Sequence, residues 1–86
     1  MRLQQLLYVK EIARCRSMNQ AAVHLYISQP SLSEAIRDLE KEFGITIFER
    51  SRRGVSLTAE GIEFLQLADK VIADADRSEE HTSELQ

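Results

Sequence analysis

Cysteine occurs once in these 86 residues, at Cys15, proline once, at Pro30, glycine three times and tryptophan not at all. A single cysteine excludes an intramolecular disulfide and any zinc site built on several thiolates, and it suits a reducing cytosol. Cys15 reads as a plain, semi-buried thiol. No stretch approaches the roughly 20 apolar residues of a membrane span, and the N-terminus lacks the apolar run of a signal peptide, so a soluble, cytoplasmic chain is expected. Glycine-rich phosphate loops are missing. His24 and His81 have no cysteine or carboxylate at metal-ligand spacing, so no metal and no cofactor are expected and His24 reads as an exposed helix residue. An enzyme is therefore not expected.

At this length, with 43% hydrophobic residues, one small domain fits, its core shared among several short elements. Net charge is -3, but it is unevenly spread. Residues 1–58 carry nine Lys and Arg against six Asp and Glu, whereas residues 59–86 carry two against eight. The first part can meet phosphates and the second should avoid them.

The apolar positions Leu6, Val9, Ile12 and Ala13 recur at helical spacing in a first helix from about Leu3, ending near Arg14 to Arg16. Ser17 is a good N-cap for a second helix, with Gln20 placed to complete a capping box. Its apolar residues are Met18, Ala21, Ala22 and Leu25, and the two alanines let a crossing helix come close. Ser28 caps a third helix over 29–43, with Pro30 in the first turn and Gly44 as a left-handed stop. Leu32, Ala35, Ile36, Leu39 and Phe43 form its core stripe, which leaves Gln29, Ser31, Ser33, Glu34 and Arg37 outside that stripe. Two helices capped separately and a few residues apart, within 17–43, are a helix-turn-helix pattern.

Beyond Gly44, two β-prone runs, 45–50 and 55–58, flank a basic turn with Arg52, Arg53 and Gly54, and read as a hairpin. Thr58 then caps a fourth helix from Ala59 to about Asp76. Gly61, Phe64, Ala68, Val71 and Ala75 make one apolar stripe, and Ile62, Leu65 and Ile72 an adjacent one. Two stripes imply two partners: the domain itself and a second subunit. The expected class is mainly α, a winged helix-turn-helix with a three-helix core and a two-stranded wing over 1–58, followed by a long linker and dimerisation helix over 59–76. Residues 77–86 break the apolar periodicity and resemble the translation of a sequencing-library adapter, so a non-native tail is expected there.

Such parts suggest a DNA reader. The start of the third helix offers unpaired backbone amides and the positive end of its dipole to phosphates, while Gln29 and Ser33 can hydrogen-bond base edges. Pro30 can press on a thymine methyl, Arg37 suits a phosphate, and Arg52 and Arg53 can reach the backbone or the adjacent minor groove. Ser28 and Ser31 look like nucleophiles only until their capping role is noticed.

The chain resembles the N-terminal DNA-binding domain of a LysR-type bacterial transcriptional regulator across residues 1 to about 76. Matching features are Leu6, Val9, Ile12 and Ala13; Ser17 with Ala21, Ala22 and Leu25; the run Ile27 to Ser33; then Ile36, Leu39, Glu40, Gly44, Phe48, Arg50, Leu57, Thr58 and Gly61. The resemblance implies that Ser28, Gln29, Pro30 and Ser33 read a groove of double-stranded DNA and that Arg53 is a wing residue reaching the minor groove. It also implies that the fourth helix pairs two subunits antiparallel in a homodimer. Two residues depart from the pattern. Glu34 stands where the family is often basic, and can accept from a cytosine amino group or stay an exposed charge beside Arg37. Met18 stands where an aromatic is usual. The family continues into an effector domain of about 200 residues that binds a small-molecule inducer, and no counterpart of it is present in this sequence. The competing reading is a winged helix that binds protein rather than DNA, which should show apolar residues where this chain has a polar helix start and a basic wing.

Overall fold

The computed structural model describes the backbone of residues 2–85 and the side chains of residues 2–74. Helix α1 spans Leu3–Cys15, α2 Met18–Leu25 and α3 Gln29–Phe43; strands β1, Phe48–Ser51, and β2, Gly54–Leu57, form an antiparallel hairpin; and α4 begins at Ala59. Each helix starts and stops for a local reason. Gln5 accepts the Arg2 backbone N–H at 2.9 Å ahead of α1. Ser17 Oγ accepts the Gln20 N–H, and Ser28 Oγ accepts the Ser31 N–H, each at 3.2 Å. Gly44 closes α3 in the left-handed region, with its N–H on the Glu40 carbonyl. The turns after α1 and α2 use Arg16 and Tyr26 in that same left-handed region, although neither is glycine. Such a residue costs about 1 kcal/mol, which the surrounding helix packing must over-determine.

The core lies where α1 crosses the other three helices. Leu6, Val9 and Ile12 of α1 are buried with Ala21 and Ala22 of α2, Leu32, Ile36 and Leu39 of α3, and Phe64 and Ala68 of α4. The expected stripes are largely the observed ones, with one exception in α3. Phe43, expected in the core, is 44% exposed and meets Phe64 edge-on at a centroid distance of 5.3 Å. It marks the rim of the core, because α3 ends there and Phe64 of α4 covers only part of its ring.

The hairpin is shorter than the apolar run suggested. Its register pairs Phe48 with Leu57 and Ser51 with Gly54, which leaves a tip of Arg52 and Arg53. Residues 45–47 are not strand, because the Ile47 N–H donates to the Glu40 carboxylate at 2.7 Å instead of to a ladder partner. Gly54 has φ 123, and a Cβ there would lie 2.5 Å from the Arg16 carbonyl oxygen. That close approach lets the Val55 N–H donate to the same oxygen at 3.1 Å, tying the wing to the turn after α1.

Thr58 caps α4 as expected, accepting the Gly61 N–H at 2.9 Å and donating toward the carbonyls of Thr46 and Ile47. Gly61 is obligatory: a Cβ would sit 2.1 Å from the Ile47 carbonyl oxygen. Lys10 and Asp69 pair at 3.4 Å between α1 and α4. The helix continues to Leu85, past the end expected near Asp76. Residues 77–85 hold no glycine or proline, so no backbone signal stops propagation even though the apolar periodicity has gone. The side chains of residues 75–86, Ala75 and His81 among them, lie outside the described residues. Among the described residues, no helix is long and apolar enough to cross a membrane.

Candidate nucleic-acid interface

The first turn of α3 stands free of the core because its apolar residues begin only at Leu32. Pro30, Ser31, Glu34 and Arg37 are exposed and Gln29 is half-buried. Ser28 does more than cap. Its hydroxyl also donates to Ser31 Oγ at 2.8 Å, so these two serines hold the helix start and are not free nucleophiles.

Ser33 corrects an expectation. It was placed outside the core stripe, yet it is only 5% exposed, and its Oγ accepts from the Arg50 guanidinium at 3.1 Å. Ser33 lies one turn beyond Gln29, beneath the Arg50 guanidinium, and a small hydroxyl can be buried there because Arg50 satisfies it. Arg50 is therefore the side chain whose part in the site was missed, although the sequence match had included the residue. It crosses from β1 to the flank of α3, a contact set by how the two elements meet and carried by no local sequence pattern.

Gln29, Pro30, Ser33, Glu34, Arg37, Asp38, Lys41 and Arg50 together line a depression of about 530 Å³. Three cations and two carboxylates share its walls. At the far end of the hairpin, Arg52 and Arg53 are exposed, and the tip is braced by Ser51, whose Oγ donates to the Gly54 carbonyl and accepts the Arg53 N–H, both at 3.3 Å. The spacing between wing and helix is fixed from behind. Glu40 Oε2 accepts the Ile47 and Phe48 N–H groups at 2.7 and 3.3 Å, clamping the start of β1 to the C-terminal end of α3.

A family model described as "Bacterial regulatory helix-turn-helix protein, lysR family" matches residues 3–62. The chain belongs to the LysR family. Among its relatives, an uncharacterized HTH-type transcriptional regulator of Bacillus subtilis, YcgK, is 48% identical over 69 residues, which cover 80% of this chain and 21% of that protein. The crystal structure of the BenM DNA-binding domain with benA site 1 DNA has a TM-score of 0.93 at 38% identity, covering 99% of this chain and 96% of that one. The CbnR DNA-binding domain in complex with DNA gives 0.93 at 35% identity, covering 99% and 98%. The chain spans about a fifth to a third of the length of the first curated relatives it matches.

On α4, the three residues expected at a subunit contact stand at different depths. Ile62 is 49% exposed, but Leu65 and Ile72 are half-buried against the chain's own core. At 3.6 residues per turn, Leu65 and Ile72 flank Gly61 and Ala68 closely, so they share the inward stripe. Ile62 lies toward the wing, beside Ala13, Val55 and Leu57. Besides Ile62, the open large apolar side chains of α4 among the described residues are Leu67, 62% exposed, and Val71, 42% exposed. With Phe43, Ile45 and Phe64 they border a mostly apolar depression of about 480 Å³ on the other flank.

A further correction concerns His24. Expected to lack metal-spaced partners, it lies with its Nδ1 2.7 Å from Glu11 Oε2 and 3.3 Å from Cys15 Sγ. Sequence spacing concealed this, since the crossing of α1 and α2 rather than a local motif brings the three together.

Proposed function

We propose that this chain is the DNA-binding part of a LysR-type transcriptional regulator, a non-enzymatic cytoplasmic protein that recognises specific sequences in double-stranded DNA. The N-terminal turn of α3 enters the major groove and the Arg52 and Arg53 tip lies against the backbone or the adjacent minor groove. What supports this reading most is the depression between α3 and the wing, open, polar and walled by Gln29, Arg37, Lys41 and Arg50. Gln29 and Glu34 read base edges there, Pro30 contacts a thymine methyl, and Arg37 engages a phosphate. Ser28 contributes through the free amides of the helix start that it orders. Ser33 acts in this scheme mainly by aiming Arg50, whose remaining donors face the same groove.

Regulators of this build work in pairs, and the apolar flank of α4 suits a second copy of this chain, with Leu67, Val71 and Phe43 at the contact and Ile62 at its own flank. Inducer sensing would reside outside these residues, in keeping with the greater length of the relatives. A random-duplex selection followed by titration in increasing salt tests the reading. Selected sequences should share a motif, and affinity should fall steeply with salt. Binding that survives replacement of Gln29, Arg50 and Arg53 together by Ala would defeat it.

A further inference from the structure

The cluster at the back of the helix-turn-helix has no part in reading DNA as proposed above, and its donors are unusually close. Glu11 and Cys15 lie one turn apart on α1, and His24 reaches them from the last turn of α2. Cys15 Sγ is 3.1 Å from Glu11 Oε2, and His24 Nδ1 stands 2.7 Å from that oxygen and 3.3 Å from the sulfur. A carboxylate oxygen, an imidazole nitrogen and a sulfur thus converge, all within 4.8 Å of one another.

We propose that Glu11, Cys15 and His24 form a three-donor site for a zinc-class divalent cation, with solvent at the fourth position. Tetrahedral coordination at ordinary zinc–sulfur, zinc–nitrogen and zinc–oxygen lengths separates the donors by about 3.3–3.6 Å. The observed separations are shorter by a few tenths of an ångström, so modest side-chain rotation would open the space an ion needs. The donor set mixes one soft thiolate with an imidazole and a carboxylate, a combination suited to zinc or cobalt rather than to magnesium or calcium.

Two features set the conditions for binding. The Arg14 guanidinium is 3.1 Å from His24 Nδ1 and 3.6 Å from Cys15 Sγ, and pairs with Glu11, so it occupies the place of the ion's charge. Its side chain is largely exposed and can swing into solvent. Burial and the neighbouring Glu11 carboxylate push the Cys15 thiol up from its ordinary value, so the metal must displace its proton. On binding, the S–H bond breaks, the sulfur–metal bond forms, and the proton leaves to the buffer. The ion would clip α1 to α2 beside Arg16, whose carbonyl holds the wing through Val55.

Cobalt(II) titrated into the reduced, tag-free chain is the test. One ion per chain should bind with a thiolate-to-cobalt charge-transfer band, absent in Cys15→Ser. His24→Ala, an exposed position whose fold circular dichroism can verify, should weaken binding by about tenfold or more. Arg14→Ala should tighten it. Zinc should displace the cobalt and raise the melting temperature. A missing charge-transfer band, or His24→Ala binding as tightly as the parent, would overturn the proposal, as would weaker binding in Arg14→Ala.

Discussion

Between α3 and the wing, a buried serine holds Arg50 and a glutamate accepts the amides of Ile47 and Phe48; on the open flank of α4, Leu67 and Val71 stand out beside a shallow apolar hollow. Both surfaces are exposed, but they differ in how they are completed. Directional hydrogen bonds within one chain already set the polar face, because a buried hydroxyl or amide without a partner costs about 1–3 kcal/mol. The apolar face has no such internal determinant. Its side chains gain by about 25 cal/mol for each Å² removed from water only when something covers them. A polar face set within a single chain and an apolar face left open follow from that difference.

Gly61 is where the two faces meet, since it lets α4 lie against the Ile47 carbonyl just before the wing. Gly61→Val should therefore break both at once, destabilising the chain by about 3 kcal/mol or more through a clash with backbone that cannot give. Thermal melts should fall by roughly 15 °C, with DNA binding and pairing lost together.

The next two substitutions separate the faces. Leu67→Glu with Val71→Glu should weaken chain association by about 2–3 kcal/mol in sedimentation equilibrium while leaving the melting temperature of the single chain nearly unchanged. Glu40→Ala should do the converse. It leaves the Ile47 and Phe48 amides without their acceptor, costing about 2 kcal/mol in denaturant unfolding and loosening the wing, with the α4 flank intact. Glu40→Gln, which keeps one acceptor oxygen, should recover part of that loss.

Smaller effects sharpen the division within the polar face. Arg53→Ala should reduce the slope of log affinity against log salt by about one and weaken all duplexes alike, whereas Gln29→Ala should cost about 1–3 kcal/mol only on sites carrying its preferred base. The last effect lies away from both faces. Hydrogen bonds from Arg14, Cys15 and His24 lower Glu11 from 4.5 to about 2. A carboxylate held low in the folded chain stabilises it above the ordinary value, and the gain is lost as pH falls toward 2. Melts of the parent and Glu11→Gln should differ at neutral pH by less than about 1 kcal/mol, given the solvent exposure of its partners, and converge between pH 4.5 and 2.

Much of this was legible in the sequence because local physics governs it. Ser17, Ser28, Gly44 and Thr58 announce helix ends that depend on a few neighbouring residues, and the apolar spacing in α1 to α3 depends on helical period alone. What stayed hidden depends on how elements cross. Ser33 lies one turn beyond Gln29 on the same side of α3, and no pattern within α3 says that Arg50 will reach it and not Gln29. Leu65 and Leu67 are both apolar and two residues apart; the tilt of α4 over α1 decides which is open. His24 lies at no metal-ligand spacing from Glu11 and Cys15 along the chain, yet the three meet in the fold.

The most direct test of the central claim is a salt-resolved anisotropy titration of the chain on a duplex recovered by random selection, alongside the variant with Gln29, Arg50 and Arg53 replaced by Ala. The account predicts affinity that falls linearly with log salt, and a variant with a shallower slope and no preference for the selected duplex over a scrambled one. Equal affinity for both duplexes in the parent chain, or a variant that keeps the parent's preference, would contradict it.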